Sequence, residues 1–292
     1  RNIEARTVLS SIAEKAYEDR AAARVAVSRA FGHLDEMLAR GRWLGEESPG
    51  DFRSFGAVLG NWSRARSFAI KASLVKRDIL MPRYYDPVTT EALDALKKRC
   101  ELVSIGELAD EGILQLETGH EVGKIAYGTG TIPFVRTSDL GNWELKRDPK
   151  QLISQAVYDA YASKQSVRAN DILLVRDGTY LVGTTAMVTE SDLPMLFSGG
   201  IYRVRAKASQ FDPYLLLALL NCTTVRQQVR DKQFTRDVID TIGRRLREVV
   251  LPLPRSPELC KRVADFTRTN VVARAEIRQK LSLLGSEIEA RI

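Results

Sequence analysis

The chain has 292 residues, with 44 Lys and Arg against 37 Asp and Glu, a net charge of +7 and a pI near 9.3. Its 44% hydrophobic and 28% charged content is that of a soluble globular protein, enough for two modest domains or one domain with helical attachments. Two histidines, His33 and His120, exclude a histidine-rich metal site, and three isolated cysteines at 100, 222 and 260 exclude a CxxC pair or a disulfide framework.

Residues 1–97 read as a helical region. Val8, Ile12, Ala16, Ala23, Val27, Phe31, Leu34 and Leu38 recur near helical spacing up to a stop at Gly41. The stretch "GEESPGD" is a loop, and a weaker helix is expected from about 55 to 80. The segment "MPRYYDP" then breaks the regularity, and Thr89–Lys98 fits a short helix. From Glu101 the texture changes to β-branched runs separated by turns, at 132–136, 172–176, 181–189, 200–205 and 247–254. A short helix near 149–162 and an apolar one over 212–231, opened by Asp-Pro, interrupt them. The expected fold class is α+β, with one mixed domain over 98–254.

Residues 255–292 form the third unit, a long helix with a near-heptad seam of Leu259, Val263, Phe266, Asn270, Ala273, Ile277, Leu281, Leu284 and Ile288. Spacings of four and three suit a coiled coil, with Asn270 as a polar register-setter and Ile277, Leu281, Leu284 and Ile288 as pairing residues. The other reading is a helix packed on its own domain.

Two of the strand-like runs end alike. Ile132–Val135 leads into Arg136-Thr137-Ser138-Asp139, and Ile172–Val175 into Arg176-Asp177-Gly178-Thr179-Tyr180. Such clusters suit either a catalytic cleft or a surface that reads polar edges. Arginine presents a fork that matches the paired acceptors of guanine, Asp accepts from cytosine, and hydroxyls bond either way. The structural reading is a pair of local salt bridges, Arg136–Asp139 and Arg176–Asp177. A third stretch, 225–249, carries seven cations against Asp231, Asp237, Asp240 and Glu248. Gln227, Gln228, Gln233 and Thr235 interleave, as in phosphate and base contacts, or the stretch is a solvated helix face.

Several chemistries are missing. There is no GxxxxGK[ST], no GxSxG, and no Asn/Asp-Pro-Pro-aromatic motif of adenine methylation; "GTG" at 128–130 is a turn. Asp139, Asp171 and Asp177 could be metal-binding carboxylates of a nuclease, although a lysine at the usual spacing is missing.

The order "IPFVRTSDLGNW", "NDILLVRDGTYLVGTTAMV", "DPYLLLALLN" and "QFTRDVIDTIGRRLREVVLPLP", closed by a long helix, resembles the target-recognition domain of type I restriction–modification specificity subunits. Similar modules occur fused to N6-adenine DNA methylases. The likeness covers about 98–292, with "PRYYDP" (82–87) as a lead-in. It departs from that pattern at "PLPRSPELCKRV", where the family has a proline-rich turn followed by Glu-Gln.

The resemblance implies a non-catalytic module that reads half of a bipartite site in double-stranded DNA. Base-reading candidates are Thr129, Arg136, Thr137, Ser138, Asp139, Trp143, Arg176, Asp177, Thr179 and Tyr180. Phosphate candidates are Lys124, Lys146, Arg203, Arg226, Arg230, Lys232, Arg236, Arg244 and Arg245. It further implies no cofactor in this chain, S-adenosylmethionine in a partner methyltransferase subunit or domain, and a restriction subunit or a second copy as further partners. The alternatives are the nuclease and a protein-interaction scaffold. No apolar run reaches the ~18 residues of a membrane span and no signal peptide is visible, so a cytoplasmic setting is expected. An opening Arg in place of Met suggests a start that was processed or cut from a longer chain.

Overall fold

The fold is described from a computed structural model for residues 34–40, 67–76, 79–141, 143–146, 148–236 and 239–289, with scattered helical positions between 10 and 25. In chain order the strands are β1 (Cys100–Ser104), β2 (Leu114–Thr118), β3 (Ile132–Val135), β4 (Leu140–Gly141), β5 (Glu144–Leu145), β6 (Leu152–Ile153) and β7 (Ile172–Val175). There follow β8 (Asp177–Gly178), β9 (Thr185–Met187), β10 (Leu196–Phe197), β11 (Ile201–Ala206), β12 (Phe234–Arg236), β13 (Ile239–Thr241) and β14 (Val250–Pro254). The helices are α1 (Pro87–Leu96), α2 (Ile105–Asp110), α3 (Gln155–Gln165), α4 (Pro213–Asn221), α5 (Thr223–Lys232) and α6 (Pro257–Glu289). The mixed helix-and-strand character expected from the sequence is present.

The apolar run 172–175 is explained by its place. As β7 it lies inside the antiparallel sheet β2-β11-β7-β9, and all four residues are buried. Strand residues alternate between faces. Ile172 and Leu174 therefore pack on the main core with α4, whereas Leu173 and Val175 face a second cluster with Val135, Leu140, Leu145 and Ile201. Burial on both faces is why the run is continuous and not alternating. β3 pairs in parallel with β10 and antiparallel with β6. β8 instead pairs with β13 of the β12–β13 hairpin.

The helix expected over 212–231 is two helices. Cys222 between them is extended, at φ −64° and ψ 151°. The composition changes there as well: α4 is buried from Leu215 to Asn221, whereas α5 buries Val225, Gln228 and Val229 and exposes Arg226 and Arg230. An all-round apolar helix belongs in a core and an amphipathic one at its edge, so a single straight axis would serve neither. The start of α5 is capped from far away. The Thr223 N–H donates to Asp35 Oδ1 at 2.8 Å, and the Thr223 hydroxyl to the other carboxylate oxygen.

The helix expected over about 55–80 is not present in its described part, where the backbone makes only a short 3-10 turn at Ala72–Leu74 with no buried residue. With no face to bury, helical propensity alone is too weak to hold such a stretch. Tyr85 ties it down instead, accepting from the Lys76 N–H at 2.9 Å and donating to the Ile79 carbonyl at 2.7 Å. The rest of that segment and the loop after Gly41 lie outside the described residues.

α6 packs on its own domain. Its buried face is Leu259, Val263, Thr267, Val271, Arg274, Arg278 and Leu281, set against α4 at the start and β5 further on. The expected seam therefore holds at Leu259, Val263 and Leu281 but rotates between them, leaving Phe266, Asn270, Ala273 and Ile277 half-buried. The cause is ionic. Arg274 pairs with Glu144 at 2.7 Å and Arg278 with Asp192 at 2.6 Å, and Arg278 also donates to the Leu145 carbonyl at 2.7 Å. Asn270 donates to the Phe266 carbonyl one turn back at 2.8 Å, a bond within the helix that sets no register with another. The side chains of Leu284 and Ile288 lie outside the described residues. The three-way division at 97/98 and 254/255 does not separate cores: Leu34, Leu38, Leu96, Ile172, Leu216, Leu259 and Val263 share one cluster.

Candidate nucleic-acid interface

The two echoing clusters meet. The Arg176 and Asp177 N–H groups both donate to the Gly200 carbonyl, at 2.8 and 3.1 Å, and the Ser198 N–H donates to the Val135 carbonyl at 2.9 Å. A Cβ built on Gly200 would lie 3.1 Å from Thr137 Cγ2 and 3.6 Å from the Asp177 carbonyl oxygen. The Gly199–Gly200 turn thus seats the 136–139 turn and the 176–178 turn side by side. A side chain at Gly200 would press on the Thr137 methyl, which would have to give by a few tenths of an ångström.

Each turn is held internally. Asp139 is buried and accepts from the Arg136 N–H at 2.9 Å. Its carboxylate is spent on shaping the turn, so it cannot accept from a base. The expected Arg136–Asp139 salt bridge is replaced by this backbone bond, and the Arg136 guanidinium is exposed, 5.9 Å from the Tyr127 ring centre. The Arg176–Asp177 bridge does form, with Nε and Nη2 both 2.8 Å from Oδ2, and Arg176 also lies over Tyr202. That aspartate orients the guanidinium without burying it. Ser138, Thr179 and Tyr180 are exposed, Tyr180 by 93%. The Thr129 hydroxyl is committed to its turn, donating to the Ala126 carbonyl at 2.7 Å and accepting from the Ser154 N–H at 3.1 Å.

Beyond β7 the 179–184 loop folds onto α5. Gly183 has φ +84°, and a Cβ there would sit 2.9 Å from Val229 Cγ1, so the loop backbone rests directly on the helix. Together with Gln233 and Asp240 they line an open cleft of about 330 Å³. Arg226 and Arg230 stand on one face of α5, one turn apart, exposed to this cleft, and neither makes an ion pair within 4 Å among the described residues.

Other candidates fall elsewhere. Trp143 is buried in the main core, its backbone N–H donating to the Thr185 carbonyl and its backbone carbonyl accepting from the Met187 N–H. A large aromatic so enclosed is core, not a base reader. Arg203 is 1% exposed, paired with Glu117 at 2.7 Å and bonded to the Gln165 and Ser166 carbonyls. It pins the end of α3, enclosed within the fold. Lys232 and Arg245 are likewise engaged: Lys232 lies 4.5 Å from the Tyr84 ring centre, and Arg245 stacks 3.8 Å from Phe234 and donates to the Lys232 carbonyl at 2.7 Å. Burial holds the Lys232 ammonium below its usual pKa, only partly countered by Glu248. Lys124, Lys146 and Arg244 are exposed; the Arg236 side chain lies outside the described residues.

The three aspartates of the nuclease reading do not converge on a metal. Asp171 is buried under a two-point pair with Arg205, at 2.6 and 2.7 Å, Asp139 caps its turn, and Asp177 holds Arg176. Among the described residues no group of three His, Cys, Asp or Glu could hold a metal ion.

Two supports were missed from sequence. "PRYY" docks against the far side of α5, where the Tyr84 hydroxyl donates to Glu248, Lys76 pairs with the same carboxylate at 2.9 Å, and Arg83 donates to the Gln233 carbonyl at 2.6 Å. The aromatic pair in an irregular stretch was the available signal. Asp35 gave none. Burial raises its carboxyl from 3.8 to about 7, against the opposing pull of the Thr223 bonds and Arg226. A carboxyl whose folded pKa lies above its unfolded value favours the fold while protonated, and that contribution is lost as pH rises through about 7. Melting at pH 6 and pH 8 should therefore show a loss of stability at the higher pH, on the order of 1 kcal/mol. Asp35→Asn, which keeps an acceptor without the charge, should flatten that difference; an equal slope in the variant would contradict the assignment.

No helix of the described residues is long and apolar enough to cross a membrane. No protein-family model and no curated protein matches the sequence. Among solved structures, the chain is similar to the crystal structure of a type I restriction-modification system S subunit from M. genitalium, at 13% identity and a TM-score of 0.49, over 97% of this chain and 58% of that one. It is also similar to a structure reported for complex assembly and conformational transition of the type I R-M system (15%, TM-score 0.43, 97% and 57%). A third is the HsdS subunit from Thermoanaerobacter tengcongensis (14%, TM-score 0.41, 96% and 56%). The chain thus spans a little under three-fifths of the length of each of these specificity-subunit neighbours.

Proposed function

We propose that this chain is a sequence-specific double-stranded DNA recognition module of a restriction–modification or phage-defence system, with no catalysis of its own. The observation that carries the reading is the convergence of the Arg136 and Arg176 turns at Gly200, joined through the 179–184 loop to a cleft edged by the exposed Arg226 and Arg230. The exposed guanidinium of Arg136 and the half-buried one of Arg176, oriented by Asp177, suit base edges together with the neighbouring hydroxyls, and exposed cations on a helix face suit phosphates. The motif order supports the same reading, because it resembles target-recognition domains. Adenine extrusion and methyl transfer, with S-adenosylmethionine, belong on this reading to a partner methyltransferase. A second copy of the chain would read the other half-site, and a restriction subunit would be a further partner.

The test is binding of a randomised duplex pool, followed by filter binding of the enriched duplex between 50 and 200 mM salt. The reading expects one enriched motif and an affinity that falls steeply with salt. Binding of no duplex would leave the interaction scaffold, and metal-dependent cleavage of the pool would revive a nuclease.

A further inference from the structure

The 124–126 turn beside this face carries an apolar side chain that the recognition reading does not use. Ile125 is 93% exposed. It sits on a single 3-10 turn, Lys124–Ala126, between Gly123 and Gly128, whose φ values of 78° and 73° only glycine adopts without strain.

The turn is rigidly seated. Ala126 is buried with Ile132, Phe134, Ile153 and Leu196, and the Tyr127 ring lies 5.7 Å from that of Phe134. The Gly128 N–H donates to the Leu152 carbonyl at 2.8 Å, and Thr129 bonds back to Ala126 at 2.7 Å. Val122, ahead of the turn, packs against the same cluster, so the chain is held on both sides of Ile125, which faces solvent. A β-branched side chain adds its own stiffness at χ1. Leu80, 83% exposed, has no such seat: it lies in an irregular stretch beside Met81.

The surroundings select the occupant. Lys124 is exposed next to Ile125, and the exposed Arg136 guanidinium lies over Tyr127 on the same turn. The nearby Glu121 is engaged, accepting from the Gly199 N–H at 3.0 Å. A stiff aliphatic tip flanked by cations matches the alternation of stacked bases and phosphates along a duplex. It matches poorly a protein surface, whose apolar patches are not rimmed by regularly spaced anions.

We propose that Ile125 is a wedge that inserts between two neighbouring base pairs at the edge of the recognised site and kinks the duplex there, with Lys124 on a flanking phosphate and Arg136 on the adjoining base edge. The inference rests on the DNA-recognition reading. Apolar wedges of this kind kink DNA by roughly 20–90°, and the kink would be easiest at flexible pyrimidine–purine steps. Ile125 would then contribute preference at a step where it makes no hydrogen bond.

The test uses the full chain and the duplex enriched from a random pool, carrying a donor and an acceptor dye at its two ends. The unaltered chain should raise energy transfer on binding. Ile125→Ser should still bind, with the same melting temperature, but with less than half of that rise, whereas Ile125→Leu should keep it. Unchanged transfer in Ile125→Ser, or selective binding without any rise, would overturn the wedge and leave DNA recognition standing. Loss of binding to a methylase subunit, with bending intact, would overturn it in favour of a protein contact. Failure of the unaltered chain to enrich any duplex would overturn the recognition reading, and the wedge with it.

Discussion

Arg203→Ala should lower the unfolding free energy by about 3–5 kcal/mol, the usual cost of removing a buried, multiply bonded charge. The loss would come chiefly from the Gln165 and Ser166 carbonyls at the end of α3, whose donor disappears, since the Glu117 carboxylate is about half exposed and can rehydrate. Lysine should not restore it, because an ammonium cannot reach three acceptors as a planar fork does. Urea unfolding would show the shift as a lower midpoint at an unchanged slope. A stable Arg203→Ala chain that binds DNA with a weaker salt dependence would instead return Arg203 to the phosphate contacts.

The second large effect separates two kinds of contact. Replacing Arg226 and Arg230 together by Ala should reduce the slope of log affinity against log salt by about two units and weaken all sequences alike, since each phosphate contact contributes roughly 0.9. The fold should hold, because both side chains are exposed and free of ion pairs among the described residues. Arg136→Ala should act otherwise, costing about 1–3 kcal/mol on the selected duplex and relaxing one base position while leaving the slope nearly intact. Binding isotherms of each variant on selected and scrambled duplexes decide between these outcomes. Equal losses on both duplexes for Arg136→Ala would make it another phosphate contact.

The strands at 132–135 and 172–175 were legible because β-branched runs bounded by turn residues leave few other readings. The meeting of their ends was not, since it depends on a glycine pair at 199–200 that carries no charge or motif. Charge misled at Arg203, taken as a phosphate candidate, and Arg274 and Arg278 lay outside the apolar seam. Each is buried against a carboxylate. Two of them displace the α6 seam that apolar spacing alone suggested. Trp143 misled in the opposite direction: it follows a recognition-like cluster, but its enclosure depends on β9, more than 40 residues later. The one helix read over 212–231 failed at Cys222, where a long-range cap from Asp35 takes over a role that local sequence does not show.

β7 has consequences for how such a chain changes over generations. Every one of its side chains is pressed from one side or the other, and a slip of a single residue would exchange the linings of two cores. Mutation there is closed off. Immediately past Val175 the constraint lifts: Thr179 and Tyr180 are exposed, so substitutions cost little stability. Heritable variation is thereby channelled to the rim of the molecule. A new preference could arise by exchanging a handful of residues between Arg176 and Thr184 as a cassette, provided Gly183 is kept where it rests on Val229, with the frame beneath inherited intact.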